Sequence, residues 1–286
     1  MNFTKMQGAG NDFVVVAADA EPRDWSQLAM TICDRHFGVG ADGLILALPS
    51  DKADVGMREF NSDGSEAEAC GNGIRCLARF AVERGLVSPD TDRLSVETLA
   101  GIRELKLLKS KGRLADIQAG MGEPGFSADD IPVVLESGRE KLVYIKSMAS
   151  YPVTIDGTSL RLNFVSMGNP HAVYFSPRPV ADFPLFRLGP EVEYLPIFPN
   201  RVNFEVARVI SRHQVEVRVW ERGVGETLAC GSGACAVAVA AQLYEYIDNK
   251  VDINLPGGIL QVAWNGTGEV LMNGPAETVF TGEWLE

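Results

Sequence analysis

Short apolar runs bounded by Gly, Pro or Asp occur at residues 12–17, 43–48, 93–98 and 102–108, and each predicts a β-strand. A second series at 142–147, 171–175, 201–210 and 214–220 answers the first, and 279–284 reads as a last strand. Helical periodicity is clearest at 74–84, where Ile74, Leu77, Ala78, Ala81 and Val82 fall on one stripe, and at 234–246. The second of these is apolar nearly all round, which predicts a helix enclosed by sheet. Residues 24–37 predict a third helix, with Asp24 as N-cap and Gly38 as its stop. Pro124, Gly125 and Pro132 give 122–132 the turn signals of a connection between domains.

The pattern is written twice. Residues 69–74 (ACGNGI) recur as 229–234 (ACGSGA), each with a Glu four positions before the Cys (Glu66, Glu226) and a helical stretch after it. Upstream, 10–15 (GNDFVV) pairs with 168–173 (GNPHAV), and the two asparagines precede their cysteines by 59 and 61 residues. Matched spacing at two separate motifs predicts two homologous halves. We take the first as 1–122, with a C-terminal strand at 275–286 returning to it, and the second as 123–274.

A cysteine where a loop enters a helix, followed by Gly-x-Gly, meets several chemical demands. The bare backbone admits a ligand, and the first-turn N–H groups lack intrahelical partners and favour an anion such as a carboxylate. The positive end of the helix is expected to lower the thiol pKa toward neutrality. An isolated cysteine is more often a small buried hydrophobe, and Cys33, Cys76 and Cys235 read that way. For Cys70 and Cys230 the duplicated context reverses this. Two matched thiols suit inversion at carbon, one acting as base on one face and the other as acid on the opposite face.

Other chemistries fit less well. The spacings Cys70-x5-Cys76 and Cys230-x4-Cys235 lie outside the common zinc pattern, so no metal is expected. A cysteine hydrolase using His171 as base would leave the second thiol unexplained. Neither Gly8-x-Gly10 nor Gly38-x-Gly40 completes a phosphate-binding fingerprint. With 38 acidic and 26 basic residues the 286-residue chain carries a formal charge of −12, which disfavours nucleic acid and anionic membranes as partners. No apolar run of membrane-spanning length and no signal-peptide h-region is present, so a cytoplasmic protein is expected. Five cysteines, an odd number, exclude a full disulfide framework.

Together, ACGNG with ACGSGACA, FNSDGSE (60–66), GNPH and ERGVGET (221–227) resemble the diaminopimelate epimerase family, in family order over essentially the whole chain. The resemblance implies an α/β (α+β) fold of two pseudosymmetric domains, each a β-barrel-like sheet around a central helix, with the active site in the interdomain cleft and a homodimer. It implies conversion of LL-2,6-diaminopimelate to the meso form without pyridoxal phosphate or any other cofactor, in lysine and peptidoglycan-precursor synthesis.

Carried over motif by motif, Cys70 and Cys230 become the catalytic pair and His171 and Glu221 the groups that tune them. Asn11, Asn61, Asn169 and Asn203 become substrate-binding residues, with Glu221 and Arg222 holding ammonium and carboxylate groups. Gly71-Asn72 and Gly231-Ser232 supply contacts at the helix starts. Without the resemblance, each asparagine reads as a turn residue. Three places depart from the pattern: Gly43 stands where many members have a Gln, Phe280 where some have a Tyr at the dimer contact, and Phe204-Glu205-Val206 after Asn203 is an unusual spelling of that segment. Within the superfamily the rival reading is a proline or hydroxyproline racemase, for which Arg222 would have no distal carboxylate to bind. Outside it, the rival is a non-catalytic small-molecule binding protein.

Overall fold

The computed structural model describes residues 1–18, 23–67, 71–110, 113–127, 130–134 and 141–285. Cys70 lies outside the described residues. The chain folds as two units, Met1–Gly120 with Asn273–Glu286, and Met121–Met272. No helix among the described residues is long and apolar enough to cross a membrane.

The first unit opens with β1 (Asn2–Gly8) and β2 (Asn11–Ala17). Ala9 and Gly10 join them with φ of 53° and 85°, the left-handed backbone of a tight hairpin. A parallel neighbour needs a crossover, and α1 (Trp25–Ile32) carries the chain to β3 (Gly43–Leu48) beside β2. Then follow β4 (Val55–Asn61), antiparallel to β3, the two-residue β5 (Glu66–Ala67) and α2 (Gly71–Glu83). The next strands are β6 (Arg93–Thr98), parallel to β4, β7 (Gly101–Ser110) and β8 (Arg113–Gly120).

Leu44 to Leu46 are all fully buried because β3 is covered on both faces. Leu44 and Leu46 pack with Leu28, Ala29 and Ile32 of α1, while α2 lies against β3 together with β1, β2, β4, β8 and the chain's last strand, β19 (Glu277–Glu283). The strand order β19–β1–β2–β3–β4–β6–β7–β8 therefore curls round α2, which touches strands at both ends of it.

The second unit begins with β9 (Val143–Ile145), β10 (Met148–Ile155), β11 (Thr158–Ser166) and β12 (Pro170–Phe175), then α3 (Leu185–Glu193). It continues through β13 (Asn203–Ser211), β14 (Gln214–Glu221), β15 (Gly225–Thr227), α4 (Gly231–Leu243), β16 (Lys250–Leu255) and β17 (Gly258–Ala263). The chain then passes through β18 (Leu271–Gly274) to β19. The second unit's connectivity repeats the first: β12 and β13 are parallel across a helix, β14 returns antiparallel, a minute strand precedes the helix, and β16 lies parallel to β14. Helix α4 packs against β11, β12, β13, β16 and β17.

Both central helices start three residues earlier than the apolar periodicity predicts, at Gly71 and Gly231, because first-turn positions need no intrahelical N–H bond and tolerate glycine. Both end alike. The N–H groups of Leu86 and Tyr246 return to the carbonyls of Ala81 and Ala241, with Gly85 and Glu245 at positive φ. The stripe expected on α2 is wider than predicted: residues 72–78 are all buried, including Arg75.

Helix α1 is shorter than the expected 24–37. Asp24 is its N-cap, accepting from Gln27 N at 3.0 Å, but the helix stops at Ile32. There the Asp34 carboxylate takes the N–H groups of His36 and Phe37 and folds them into a turn. The strand expected at 142–147 ends at Ile145, where Lys146 takes φ 56°.

Beneath the first unit's hairpin lies a charge network. Lys5, buried, donates to Asp12 and to the Gly40 carbonyl, and Arg35 bridges Asp12 (2.8 Å) and Asp42 (2.7 Å). Burial raises the Asp12 carboxyl, but hydrogen bonds from Arg35 and Lys5 outweigh it and hold the group at about 2. A depressed carboxyl stabilises the fold above its unfolded value of 3.8, and that contribution disappears as pH falls toward 2.

Asp12→Asn should therefore cost about 1–2 kcal/mol at neutral pH and nothing near pH 2, measured by urea unfolding across that range. An equal cost at both ends would contradict the network's role. In α3, Gly189 lies against Trp220 of β14, and a Cβ there would sit 2.5 Å from the indole ring. Gly189→Ala should lower stability by about 1–3 kcal/mol in place of the gain usual for Gly→Ala within a helix.

Candidate active site

In the second unit Cys230 is the N-cap of α4, its backbone extended (φ −123°, ψ 116°) and its Sγ accepting the Gly233 N–H at 3.4 Å. Ser232 Oγ lies 3.5 Å from the same sulfur. Asn169, at the turn before β12, donates from Nδ2 to Ser232 Oγ at 3.4 Å and presents Oδ1 to His171 Nε2 at 2.9 Å. The other ring nitrogen, Nδ1, is 2.7 Å from Glu205 Oε1, and both side chains are fully buried. Register explains the meeting: His171 pairs with Asn203 across parallel strands, and Glu205 lies two residues along β13 on the same face.

Asn203 is buried and spans two elements. Its Nδ2 donates to the Pro170 carbonyl at 3.0 Å and its Oδ1 accepts the Arg222 N–H at 2.9 Å. Arg222 reaches the Asn200 carbonyl at 3.1 Å, and Glu221 accepts from Thr227 Oγ1 at 2.5 Å. Glu193 of α3 fixes this turn, accepting from Trp220 Nε1 and Gly223 N at 2.8 and 2.9 Å. Burial pushes the Glu221 carboxyl up, against hydrogen bonds from Thr227 and Cys230 that lower it.

The expected lowering of the thiol pKa is overturned for Cys230. Burial, then the charge of Glu221, raises it well above the ordinary 9.0; the Ser232 hydroxyl, the Gly233 N–H and the helix start do not compensate. A dehydrated thiolate beside two carboxylates is unfavourable, and this outweighs the partial charge of the helix end. The expectation for Cys70 lies outside the described residues. Burial drives Cys33 and Cys76 up to about 12, consistent with thiols that serve as core side chains.

The first unit holds the matching set. Asn11 Nδ2 donates to Asp42 Oδ2 at 2.6 Å, and its Oδ1 accepts from Asn72 Nδ2 at 3.1 Å, so Asn11 meets Asn72 as Asn169 meets Ser232. Arg75 holds Asn72 Oδ1 (2.7 Å), the Gly71 carbonyl (2.9 Å) and the Pro275 carbonyl (3.4 Å). Asn61 is exposed at the end of β4 and donates to Ser65 Oγ at 2.9 Å. A Cβ on Gly43 would lie 2.9 Å from the Phe60 carbonyl, so the strands close on bare backbone there. Phe280 is half-exposed and packs edge-on against Phe3.

The structure thus gathers Asn169, His171, Asn203, Glu221, Arg222, Gly231 and Ser232 around Cys230, and Asn11, Gly71 and Asn72 at the start of α2. Sequence reasoning missed Glu205, Glu193, Asp42 and Arg75. The signal for Glu205 was available: a lone acid between the apolar Phe204 and Val206 has to find a buried partner. Among the described residues no group of three or more His, Cys, Asp or Glu is placed to hold a metal ion.

The profile of the family described as Diaminopimelate epimerase matches residues 3–127 and 163–279. The diaminopimelate epimerase of Pelotomaculum thermopropionicum is 46% identical over 287 residues, covering 99% of each chain. That of Acetivibrio thermocellus is 46% identical, covering 99% of this chain and 98% of its own. Among solved structures, a phenazine biosynthesis protein of the PhzF family from Bacillus anthracis superposes with TM-score 0.70 at 17% identity, covering 100% of this chain and 99% of that one. A probable proline racemase from Agrobacterium radiobacter K84 gives TM-score 0.71 at 14% identity, covering 99% and 92%. These two likenesses establish the mixed α/β fold, while the sequence matches run the length of the chain: it belongs to the diaminopimelate epimerase family.

Proposed function

We propose that this chain epimerises LL-2,6-diaminopimelate to meso-2,6-diaminopimelate without a cofactor, using Cys70 and Cys230 as paired acid and base. One thiolate takes the Cα proton and its electron pair stays on carbon, while the other thiol delivers its own proton to the opposite face. One C–H bond breaks, one forms, and the two sulfurs exchange protonation states. The observation that carries the reading is the N-cap position of Cys230, with its thiol at Ser232 and Gly233, on a helix start that the chain spells twice.

The Cα proton is a much weaker acid than a thiol, so the carbanion-like transition state needs electrostatic help. First-turn N–H groups at Gly71-Asn72 and Gly231-Ser232 offer it to the reacting carboxylate. Glu221 receives the ammonium group and Arg222 the distal carboxylate, with Asn11, Asn61, Asn169 and Asn203 fixing the remaining polar atoms. Burial is the first cause that raises the Cys230 thiol and the Glu221 charge the second, so an ammonium brought to Glu221 offsets the second and eases formation of that thiolate. His171 acts from beneath Asn169. The reaction belongs to lysine and peptidoglycan-precursor synthesis, which places it in the cytoplasm. Exposed Val279 and Phe280 on β19 support a homodimer.

Cys70→Ala and Cys230→Ala should each reduce kcat for diaminopimelate by at least about a hundredfold with unchanged circular dichroism. Substantial turnover by either variant would defeat the scheme. Racemisation of proline by the unmodified chain, with diaminopimelate untouched, would favour the proline racemase reading.

A further inference from the structure

Arg222 sits in a turn whose conformation its own sequence does not choose. The Val224 N–H closes the turn on the Glu221 carbonyl at 3.1 Å, and Gly223 stands third with φ 77°, the signature of a type II turn. A type I turn over the same four residues differs chiefly by a half-rotation of the central peptide, Arg222–Gly223. Glycine accepts either sense, and the closing bond does not involve the central N–H.

That N–H is taken by Glu193, the last residue of α3, whose Oε1 accepts it at 2.9 Å. Glu193 is buried, and its Oε2 accepts the Trp220 indole N–H at 2.8 Å. Both partners can only donate, so both oxygens are committed as acceptors. The indole is wedged, because a Cβ on Gly189, one turn earlier in α3, would already sit 2.5 Å from the ring. The exposed turn is the partner that can move. On the other side of Arg222, Asn203 Oδ1 accepts the Arg222 N–H at 2.9 Å. The peptides before and after Arg222 are therefore held by two different side chains, and Glu193 sets the second.

We propose that Glu193 is a positioning residue for the substrate's distal carboxylate: by holding the Gly223 N–H it keeps the Arg222–Gly223 peptide in its type II sense and so aims Arg222. The distal contact of Arg222 rests on the epimerase reading, whereas the hold on Gly223 does not. Glu221 is fastened separately, to Thr227 Oγ1 and by its pairing with Gly225, so loss of Glu193 weakens binding and leaves proton transfer alone.

The test is kcat and KM for diaminopimelate, urea unfolding, and hydrogen exchange of the Gly223 amide by NMR. The chains compared are wild type, Glu193→Gln, Glu193→Gln with Trp220→Phe, and Gly223→Ala. Gln offers one oxygen to two donors, and the turn gives way before the wedged indole: KM should rise about tenfold with kcat within about twofold, and Gly223 exchange should quicken. Removing the indole N–H lets the amide oxygen return to Gly223. Adding Trp220→Phe should therefore bring KM back to within about threefold of wild type while stability falls further. A merely structural role would move both in the same direction. In Gly223→Ala the new Cβ meets open space but the positive φ is disfavoured, and KM should rise about tenfold.

A wild-type KM in Glu193→Gln or in Gly223→Ala, no recovery on adding Trp220→Phe, or an unprotected Gly223 amide in the wild type would each overturn the proposal. The wild-type exchange and Gly223→Ala decide it even if Glu193→Gln does not fold. Epimerisation with an unprotected Gly223 amide would sink this inference and leave the epimerase reading standing. A protected amide in a chain that exchanges no Cα proton of diaminopimelate in D2O would sink that reading and leave the hold of Glu193 on the turn intact.

Discussion

In each unit a buried carboxylate lies against the first turn of the central helix, and the third residue after the cysteine of the repeated motif has to be glycine for it to fit. A Cβ on Gly73 would sit 2.5 Å from Glu59 Oε2, and one on Gly233 would sit 2.8 Å from Glu205 Oε1. The glycines thus admit protein as well as ligand. Because the helix start is pinned from below, the strands that wrap it are pinned too: β4 carries Glu59 with Asn61 at its end, and β13 carries Glu205 with Asn203 at its start. The Cys-Gly-x-Gly spelling records a packing constraint and a chemical one together.

The two units meet this constraint with different charges. The first balances its helix start with Arg75, which reaches the Gly71 carbonyl and Asn72, and with the Lys5, Asp12, Arg35 and Asp42 network behind Asn11. In the second, Cys235 stands at the position matching Arg75, five residues after the motif cysteine, and the ionisable side chains near the helix start are His171, Glu205 and Glu221. A fold can be duplicated while its electrostatics diverge, since backbone topology depends on the apolar pattern and the polar network only on a few interior side chains.

Much of this was legible in the chain. Strands at 12–17, 43–48, 93–98, 171–175 and 214–220 follow their apolar runs because both faces, or one, are buried as the pattern demands. The duplication was visible in two short motifs, and the connectivity of β11 to β17 repeats that of β1 to β7. Helix α3 was not visible, since Gly189 and Pro190 read as breakers and only Trp220, thirty-one residues on, explains the glycine. Nor was the state of the Cys230 thiol. The helix end is local and readable, whereas burial and the approach of Glu221 and Glu205 are tertiary facts that reverse its effect. Glu205 was marked in the sequence as an acid between Phe204 and Val206, but the partner it finds, His171 on the neighbouring strand, is set by register and not by local sequence.

The proposed mechanism needs two separate proton carriers at one carbon, and heavy water tests that most directly. When LL-diaminopimelate is epimerised in D2O at early conversion, the carrier on the product face holds solvent deuterium while the carrier on the substrate face holds the proton just removed. The meso product should therefore contain deuterium at the inverted carbon and the recovered LL substrate should remain protiated. Deuterium entering the recovered substrate as fast as the product would mean that a single group serves both faces, and would contradict the account.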